Sequence, residues 1–240
     1  GDWRIHFHVP LFTRDYDGRA WTQSDVARVI GAAERFVKRL ALGCALLTAL
    51  CMAFVDKPLA QWLAVRDTHP HAWERAIAVL EYAAGVEPWK WLGVTVLVAG
   101  VVISTLWRRQ AAAAWMIVAS SHLLARNLTM WSKALTGRLR PHEWHGGAMW
   151  LQGGSSFPSG DVVLVASLAL PLAVVYPRLR VLVAVPVFAA VARVMAHAHF
   201  ASDVVGAFAL CAAVTALCTW GVDRAFGRAF RRSQPPDGAR

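Results

Sequence analysis

Charged residues are scarce in this sequence. Asp, Glu, Lys and Arg make up 17% of the 240 residues, whereas soluble domains carry about 25%. Acidic residues are rarer than basic ones: there are 15 Asp and Glu against 25 Lys and Arg. A disordered chain is excluded, because 57% of the residues are hydrophobic. Cysteine is rare as well: the four cysteines all lie in apolar runs, which excludes a disulfide scaffold and favours buried thiols.

Between residues 40 and 222 the chain carries six apolar segments. Several have only 15–18 residues, fewer than the roughly 20 that a transmembrane helix needs. Tryptophans and basic residues at their ends extend them to the membrane interface. We therefore predict an all-α integral membrane protein, a bundle of six transmembrane helices. The segments are 40–55, 92–107, 111–131, 162–176, 179–196 and 204–222.

The basic residues are unevenly divided between the two sides of such a bundle. An even number of spans places both termini on one side, which holds 16 Lys and Arg against 7 acidic residues. The other side holds 9 against 8. By the positive-inside rule both termini are cytoplasmic, in a bacterial-type inner membrane. The net charge of +10 is then an orientation signal, and nucleic acid is not an expected partner.

Two amphipathic stretches flank the spans and are expected to form interfacial helices. One precedes span one on the cytoplasmic side. The other, 69–82 on the outer side, carries an apolar stripe away from Glu74, Arg75 and Glu81. The expected organisation is a cytoplasmic N-terminal segment, a six-span catalytic membrane domain and a basic, disordered cytoplasmic tail: residues 1–39, 40–222 and 223–240.

Polar residues gather between spans three and six, on the side predicted to face the periplasm. Three cations there supply many donors, and the planar fork of Arg matches phosphate oxygens. Ser159 and Gly160 stand where span four begins, and the free N–H groups of a helix N-terminus bind anions. We therefore expect a phosphate-binding site made of Lys133, Arg140, Ser159, Gly160 and Arg193.

A histidine and an aspartate complete this polar set. His199 and Asp203 are four residues apart, which places them on one face of a helix. An aspartate can fix the tautomer of the imidazole and leave the other ring nitrogen free as a nucleophile. Because Arg193 is six residues before His199, we expect the helix to break near 198–202, with Ser202 or Asp203 capping span six.

Taken in order, these residues follow the pattern Lys-x6-Arg-Pro, Pro-Ser-Gly and Arg-x5-His-x3-Asp. The pattern resembles the type-2 phosphatidic acid phosphatase superfamily, which includes membrane lipid phosphatases, soluble acid phosphatases and vanadium haloperoxidases. The resemblance implies that His199 forms a phosphohistidine and that Asp203 orients it. It implies that the three basic residues, Ser159 and the Gly160 amide hold the phosphate. It also implies that the reaction needs no metal ion and no cofactor.

One position departs from the family pattern, in which Pro-Ser-Gly is usually followed by a histidine that protonates the leaving oxygen. Here that position is Asp161. Three interpretations remain open. Asp161 is itself the acid, with a pKa raised by burial and by the phosphate. Alternatively, it positions Lys133 or a water while His142, His145 or His197 is the acid, or the leaving group needs no proton.

The sequence thus predicts a lipid phosphate or diphosphate phosphatase acting at the outer face of the membrane. Substrates that fit include phospholipids such as phosphatidic acid and phosphatidylglycerol phosphate, undecaprenyl diphosphate and lipid A phosphates. One alternative is a lipid phosphotransferase, in which a second lipid or a sugar attacks the phosphohistidine. Another is a non-catalytic member that binds lipid phosphate without turnover.

Overall fold

All regular structure in the described part of the chain is helical, as the sequence predicts. The computed structural model describes residues 23–66, 68–83, 97–102 and 109–232. Helix bounds within it are α1 (Gln23–Leu50), α2 (Asp56–Ala64), α3 (Pro70–Ala83), α4 (Arg109–Thr136), α5 (Gly160–Val175), α6 (Ala184–Met195) and α7 (Ala201–Arg232). A π-helical turn, Cys51–Val55, joins α1 to α2, and 3-10 turns occupy Pro141–Glu143 and Pro177–Val183.

The core is built around α5 and α7, which pack against each other and against α1, α4 and α6. α5 is apolar on all sides, as expected for an enclosed helix, and ten of its 16 residues are buried. Small residues on α7 let its neighbours approach closely. A Cβ added at Gly206 would lie 2.5 Å from the ring of Phe157, so a larger residue there would displace the ring.

Two helical segments of the described chain are long and apolar enough to cross a membrane, Arg35–Ala64 and Ala201–Val222. Their surroundings differ, because 56% of the most apolar stretch is buried in the second but only 17% in the first. The first segment therefore presents apolar side chains outward, Leu42, Leu46 and Phe54 among them. It also runs past the expected end of span one at residue 55, since α2 continues the helix to Ala64.

The other four predicted spans correspond to segments that do not meet this test or are not described. α5 is apolar but its 16 residues extend only about 24 Å at 1.5 Å per residue. The stretch 111–131 lies within α4, which carries polar residues in its middle. The stretch 179–196 is divided between a 3-10 turn and the short α6. Within 92–107, residues 97–102 are helical and the rest lie outside the described residues.

The amphipathic helix expected over 69–82 is present as α3, whose apolar stripe packs against the core; its position at a membrane interface stays a prediction. Ile77 on this stripe is 2% exposed, and Trp73 and Leu80 pack beside it. The amphipathic stretch expected before span one is continuous with α1, so helix crosses the expected domain boundary at residue 39. Helix α7 likewise continues past 222 to Arg232. Residues 1–22 and 233–240 lie outside the described part.

The polar residues named above meet at one end of this bundle. Lys133 lies in the last turn of α4 and Ser159 is the N-cap of α5. Arg193 lies in the last turn of α6, and Asp203 in the first turn of α7. Since these elements alternate in direction, four helix ends place the side chains within reach of one another.

Candidate active site

The turn between α6 and α7 carries His199. Helix α6 ends at Met195 and α7 begins at Ala201, so the predicted break is confirmed slightly earlier in the chain. The His199 N–H donates to the Arg193 carbonyl oxygen at 3.3 Å, which ties the two residues together through the backbone. Asp203 Oδ2 accepts the Phe200 N–H at 2.9 Å and so caps the start of α7.

His199 and Asp203 face each other inside the protein. His199 Nδ1 lies 3.5 Å from Asp203 Oδ2, an ion-pair distance rather than a short hydrogen bond, and neither side chain is more than 1% exposed. Because Nδ1 faces the carboxylate, Nε2 is the nitrogen left for attack. Burial lowers the pKa of His199, although Asp203 acts in the opposite direction. The neutral, nucleophilic ring is therefore favoured.

A buried arginine that the motif pattern did not single out binds Asp203 through the carboxylate oxygen that does not face His199. Arg138 is fully buried, and its Nη1 donates to Asp203 Oδ1 and to Ser202 Oγ, both at 2.6 Å. Its Nη2 donates to Asp56 Oδ2 at 2.5 Å. Ser156 Oγ donates to the second oxygen of Asp203 at 2.5 Å. Both carboxylate oxygens of Asp203 are thus fixed.

Asp56 completes this buried network from the start of α2. It accepts the Ser202 N–H at 3.0 Å and the Ser202 hydroxyl at 2.5 Å. The guanidinium of Arg138 lies over the rings of Trp150 and Phe200, 4.5 Å from each centroid. One sequence signal could have indicated Asp56: an acidic residue directly after an apolar run requires a partner.

The expected phosphate-binding residues are brought together around the start of α5. A Cβ built on Gly160 would lie 3.6 Å from Lys133 Nζ, so glycine leaves room beside the ammonium group. Burial lowers the pKa of Lys133, and Arg140 lowers it further. The Ser159 hydroxyl is buried and has no hydrogen-bond partner. Crowded cations and an unpartnered donor fit an anion between them.

Asp161 is held by Arg193. The Arg193 side chain donates through Nε to Asp161 Oδ2, and its Nη2 pairs with the same oxygen. Burial alone would raise the pKa of Asp161, but the Arg193 guanidinium and a side-chain hydrogen bond with Glu81 hold it below its ordinary value. This direction does not favour the interpretation in which a raised pKa makes Asp161 the acid by itself, and that interpretation stays a prediction.

Glu81 is a site residue that the sequence interpretation placed elsewhere. It lies near the end of α3, off the apolar stripe. In the structure it is half-buried, and its side chain lowers the pKa of Asp161. Helical periodicity separates polar from apolar positions, but it does not show which polar positions meet another helix.

The three histidines considered as alternative acids lie beside the site, and two of them are exposed: His142 and His145. His142 Nδ1 is 3.1 Å from the His197 carbonyl oxygen. His197 is half-buried, and its Nε2 lies 3.2 Å from Thr68 Oγ1. His197 and His199 both line a small cavity beside α2. Among the described residues, no group of three or more His, Cys, Asp or Glu side chains could hold a metal ion.

The family model of the PAP2 superfamily matches residues 111–226. The match covers all three motifs, from Lys133 to Asp203. Over these residues the chain is similar to the PAP2 superfamily. The PAP2 superfamily is the type-2 phosphatidic acid phosphatase superfamily, so the resemblance drawn from the motifs is confirmed. PAP2 members are generally phosphatases or related phosphoryl-transfer enzymes.

The PAP2 match leaves out α1, α2 and α3, and with them Asp56 and Glu81. Both residues nevertheless act on the site, since Asp56 accepts a hydrogen bond from Arg138 and Glu81 lowers the pKa of Asp161. Among curated proteins and among solved structures, none matches the chain.

Proposed function

We propose that this protein is a membrane lipid phosphatase that hydrolyses a lipid phosphate or diphosphate through a phosphohistidine at His199. One observation carries the proposal: a buried imidazole, whose pKa is lowered by burial, stands beside cations and an unpartnered hydroxyl at a helix N-terminus. Such a set provides a nucleophile and an anion site in one place. The PAP2 match supports this type of chemistry on phosphate esters.

In the first step, His199 Nε2 attacks phosphorus and the ester oxygen leaves. Asp203 stabilises the ring as it becomes positively charged, because its carboxylate lies beside Nδ1. Lys133, Arg140 and Arg193 stabilise the charge on the transferring phosphoryl oxygens. In the second step, water attacks the phosphohistidine and releases phosphate.

A lipid substrate is supported by the surface that surrounds the site. Large apolar side chains beside Lys133 are more than two-thirds exposed; they are Met130, Trp131, Leu135 and Leu151. An apolar surface of this kind next to an anion site suits a molecule with a phosphate head and hydrocarbon chains.

We also propose the six-span arrangement predicted from the sequence, in a bacterial-type inner membrane. Both termini are then cytoplasmic and the site is periplasmic. The outward apolar side chains of Arg35–Ala64 support lipid contact, because a soluble protein would bury such a helix. The uneven distribution of basic residues supports the orientation.

The test is phosphate release by the purified protein from phosphatidic acid, phosphatidylglycerol phosphate, undecaprenyl diphosphate and lipid A phosphate. His199→Ala is expected to abolish release and phosphohistidine formation, because it removes the nucleophile. His71→Ala, at an exposed position of α3, serves as the matched control and is expected to retain both.

Three other outcomes would change the proposal. Phosphate release by folded His199→Ala at the native rate would remove the mechanism. Phosphohistidine that reacts only when a second lipid or a sugar is added would identify a phosphotransferase. Binding of lipid phosphate by the native protein, with no phosphohistidine on any substrate, would identify a non-catalytic member.

A further inference from the structure

The turn that presents His199 begins with a helix C-terminal motif in which one residue is unusual. The Ala198 N–H donates to the Arg193 carbonyl oxygen at 3.1 Å. The His197 N–H donates to the Val194 carbonyl oxygen at 3.0 Å. These two bonds define a Schellman motif, in which the residue after the helix cap is left-handed and is usually glycine. Here that residue is His197, with a φ of 57°.

The left-handed backbone of His197 is unfavourable for a residue with a side chain, although histidine tolerates it better than most. Residues held in such conformations cluster at functional sites, where the surrounding structure fixes them. The His197 side chain is half-buried, and its Nε2 lies 3.2 Å from Thr68 Oγ1. This contact gives the side chain a role at a position where the backbone favours glycine.

The direction of the contact between Thr68 and His197 follows from the proton count. The Thr68 hydroxyl donates its single proton to the Met195 carbonyl oxygen at 2.9 Å. Its oxygen therefore accepts from His197, so the proton of that ring lies on Nε2. The His197 carbonyl oxygen in turn accepts from His142 Nδ1 at 3.1 Å. His197 is thus held by its side chain and by its backbone, two residues before His199.

Thr68 is itself fixed by helix α3. Its carbonyl oxygen accepts the Trp73 Nε1–H at 3.0 Å. The Trp73 ring packs against Phe188 of α6, with the ring centroids 6.3 Å apart. Thr68 and Trp73 both precede residues 111–226, the part that matches the PAP2 model. A segment outside the matched region therefore reaches the turn that carries the nucleophile.

We propose that the Thr68–His197 hydrogen bond holds the α6–α7 turn in the position from which His199 attacks phosphorus, an inference that rests on the phosphatase function proposed above. His197 and His199 line the same cavity beside α2, so a shift of the turn moves both rings. A nucleophile misplaced by about 1 Å can slow a reaction by about 10²-fold. Thr68 and His197 act through the turn and are positioning residues.

The experiment compares Thr68→Val with Thr68→Ser in the purified full chain, with p-nitrophenyl phosphate as the substrate. Valine has the shape of threonine without the hydroxyl, whereas serine keeps the hydroxyl. We expect Thr68→Val to lower kcat by about 10- to 100-fold and to change KM by less than about threefold, because the phosphate-holding residues are untouched. Thr68→Ser is expected to retain kcat within about threefold of the native value.

Thr219→Val is the matched control, because it removes a hydroxyl that donates to the Thr215 carbonyl oxygen within α7. It is expected to keep the native kcat and KM. Loss of kcat in Thr68→Ser equal to that in Thr68→Val would overturn the proposal. So would a loss in Thr68→Val no greater than that in the control.

His197→Gly separates positioning from folding. Glycine suits the left-handed backbone, so this variant is expected to unfold near the native temperature. Its kcat is nevertheless expected to fall as in Thr68→Val. The double variant is expected to lose no more than either single one, because both changes remove the same hydrogen bond. Native kcat in folded His197→Gly, or losses that multiply in the double variant, would overturn the proposal.

A measurement without turnover distinguishes failure of this inference from failure of the phosphatase function. In the full chain labelled with ¹⁵N-histidine, at about pH 8.5, His197 is expected to give the NMR signals of a ring protonated at Nε2 only. The signals are assigned by their loss in His197→Gly. They are expected to shift towards a mixture of tautomers in Thr68→Val and to stay unchanged in Thr219→Val. Unchanged signals in Thr68→Val would overturn the hydrogen bond. The expected signals in a native protein that releases no phosphate would leave the bond standing and remove the phosphatase function instead.

Discussion

At the scale of single residues, two buried serines differ in a way that can be tested. Ser159 and Ser121 both carry a buried hydroxyl without a hydrogen-bond partner. Ser159 stands at the N-cap of α5 beside Lys133, whereas Ser121 lies in the middle of α4, twelve residues before Lys133. The first hydroxyl has a proposed ligand to explain it and the second has none.

Ser159→Ala is therefore expected to weaken inhibition by inorganic phosphate, with an inhibition constant raised by about 10- to 100-fold. A hydrogen bond to a charged group contributes about 1.5–3 kcal/mol, which corresponds to this range. Ser121→Ala is expected to leave inhibition unchanged. Both variants should unfold at or slightly above the native temperature, since each removes an unpaired buried hydroxyl. Equal inhibition of the two variants would contradict the assignment of Ser159.

The motif residues could be predicted because their chemistry is local in the sequence. A helix start with glycine, or a histidine four residues before an aspartate, is visible in a short stretch. The hydrogen bond from Arg138 to Asp56 joins residues 82 positions apart, and no local pattern shows it. The protonation state of Asp161 likewise depends on which side chains surround it, and these come from α3 and α6.

At the scale of elements, the buried network attaches α2 to the turn before α7. Arg138 bridges Asp56 on α2 and Asp203 on α7, while Ser202 bonds to Asp56 directly. Removing one member of a buried ion pair leaves an uncompensated charge. Loss of one member is therefore expected to destabilise the packing of both α2 and α7.

Arg138→Lys is expected to destabilise the fold by about 1–3 kcal/mol, the usual cost of leaving a buried polar group without its hydrogen-bond partner. A single ammonium group cannot reproduce the fork that contacts both carboxylates. The measurement is thermal or denaturant unfolding in detergent, with Arg75→Lys on the exposed face of α3 as the matched control. A midpoint equal to that of the control would show that the network adds nothing to stability.

Apolar composition predicted the positions of helices well, but it did not show where one apolar stretch contains two separate helical elements. The stretch 179–196 reads as one continuous segment, yet it contains the junction between Pro177–Val183 and α6. Helix α5 was predicted closely, from 162–176 against Gly160–Val175, because Ser159 and Gly160 mark its start. Capping residues show where a helix begins or ends, whereas hydrophobicity alone does not locate these boundaries.

At the scale of the whole molecule, the orientation of the bundle can be tested with cysteine probes. The four native cysteines are replaced first; of these, Cys44 is half-buried and the rest are buried. Single cysteines placed in 143–153 are expected to react with an impermeant reagent added outside intact cells. Cysteines in 233–239, or at Arg178 on the opposite end of the bundle, are expected to react only after permeabilisation.

This pattern follows from the excess of basic residues on the side of the termini. Reversed labelling would overturn both the orientation and the periplasmic location of the site. Labelling of all positions from outside in intact cells would instead contradict a membrane barrier between the two ends.

The ion pair and hydrogen bonds of Asp56 also impose an order on the biogenesis of the protein. Its partners follow 82 and 146 residues later in the chain. At about 5–20 residues per second, the ribosome needs roughly 7–30 s to reach the later one. Until Arg138 has been synthesised, the Asp56 carboxylate ends an apolar run without any of its native partners, and a lone charge in such a run is costly to place in a membrane. In the proposed bundle the first helix therefore gains its full set of Asp56 contacts only when the start of α7 arrives, and a chain truncated before α7 lacks both Ser202 contacts.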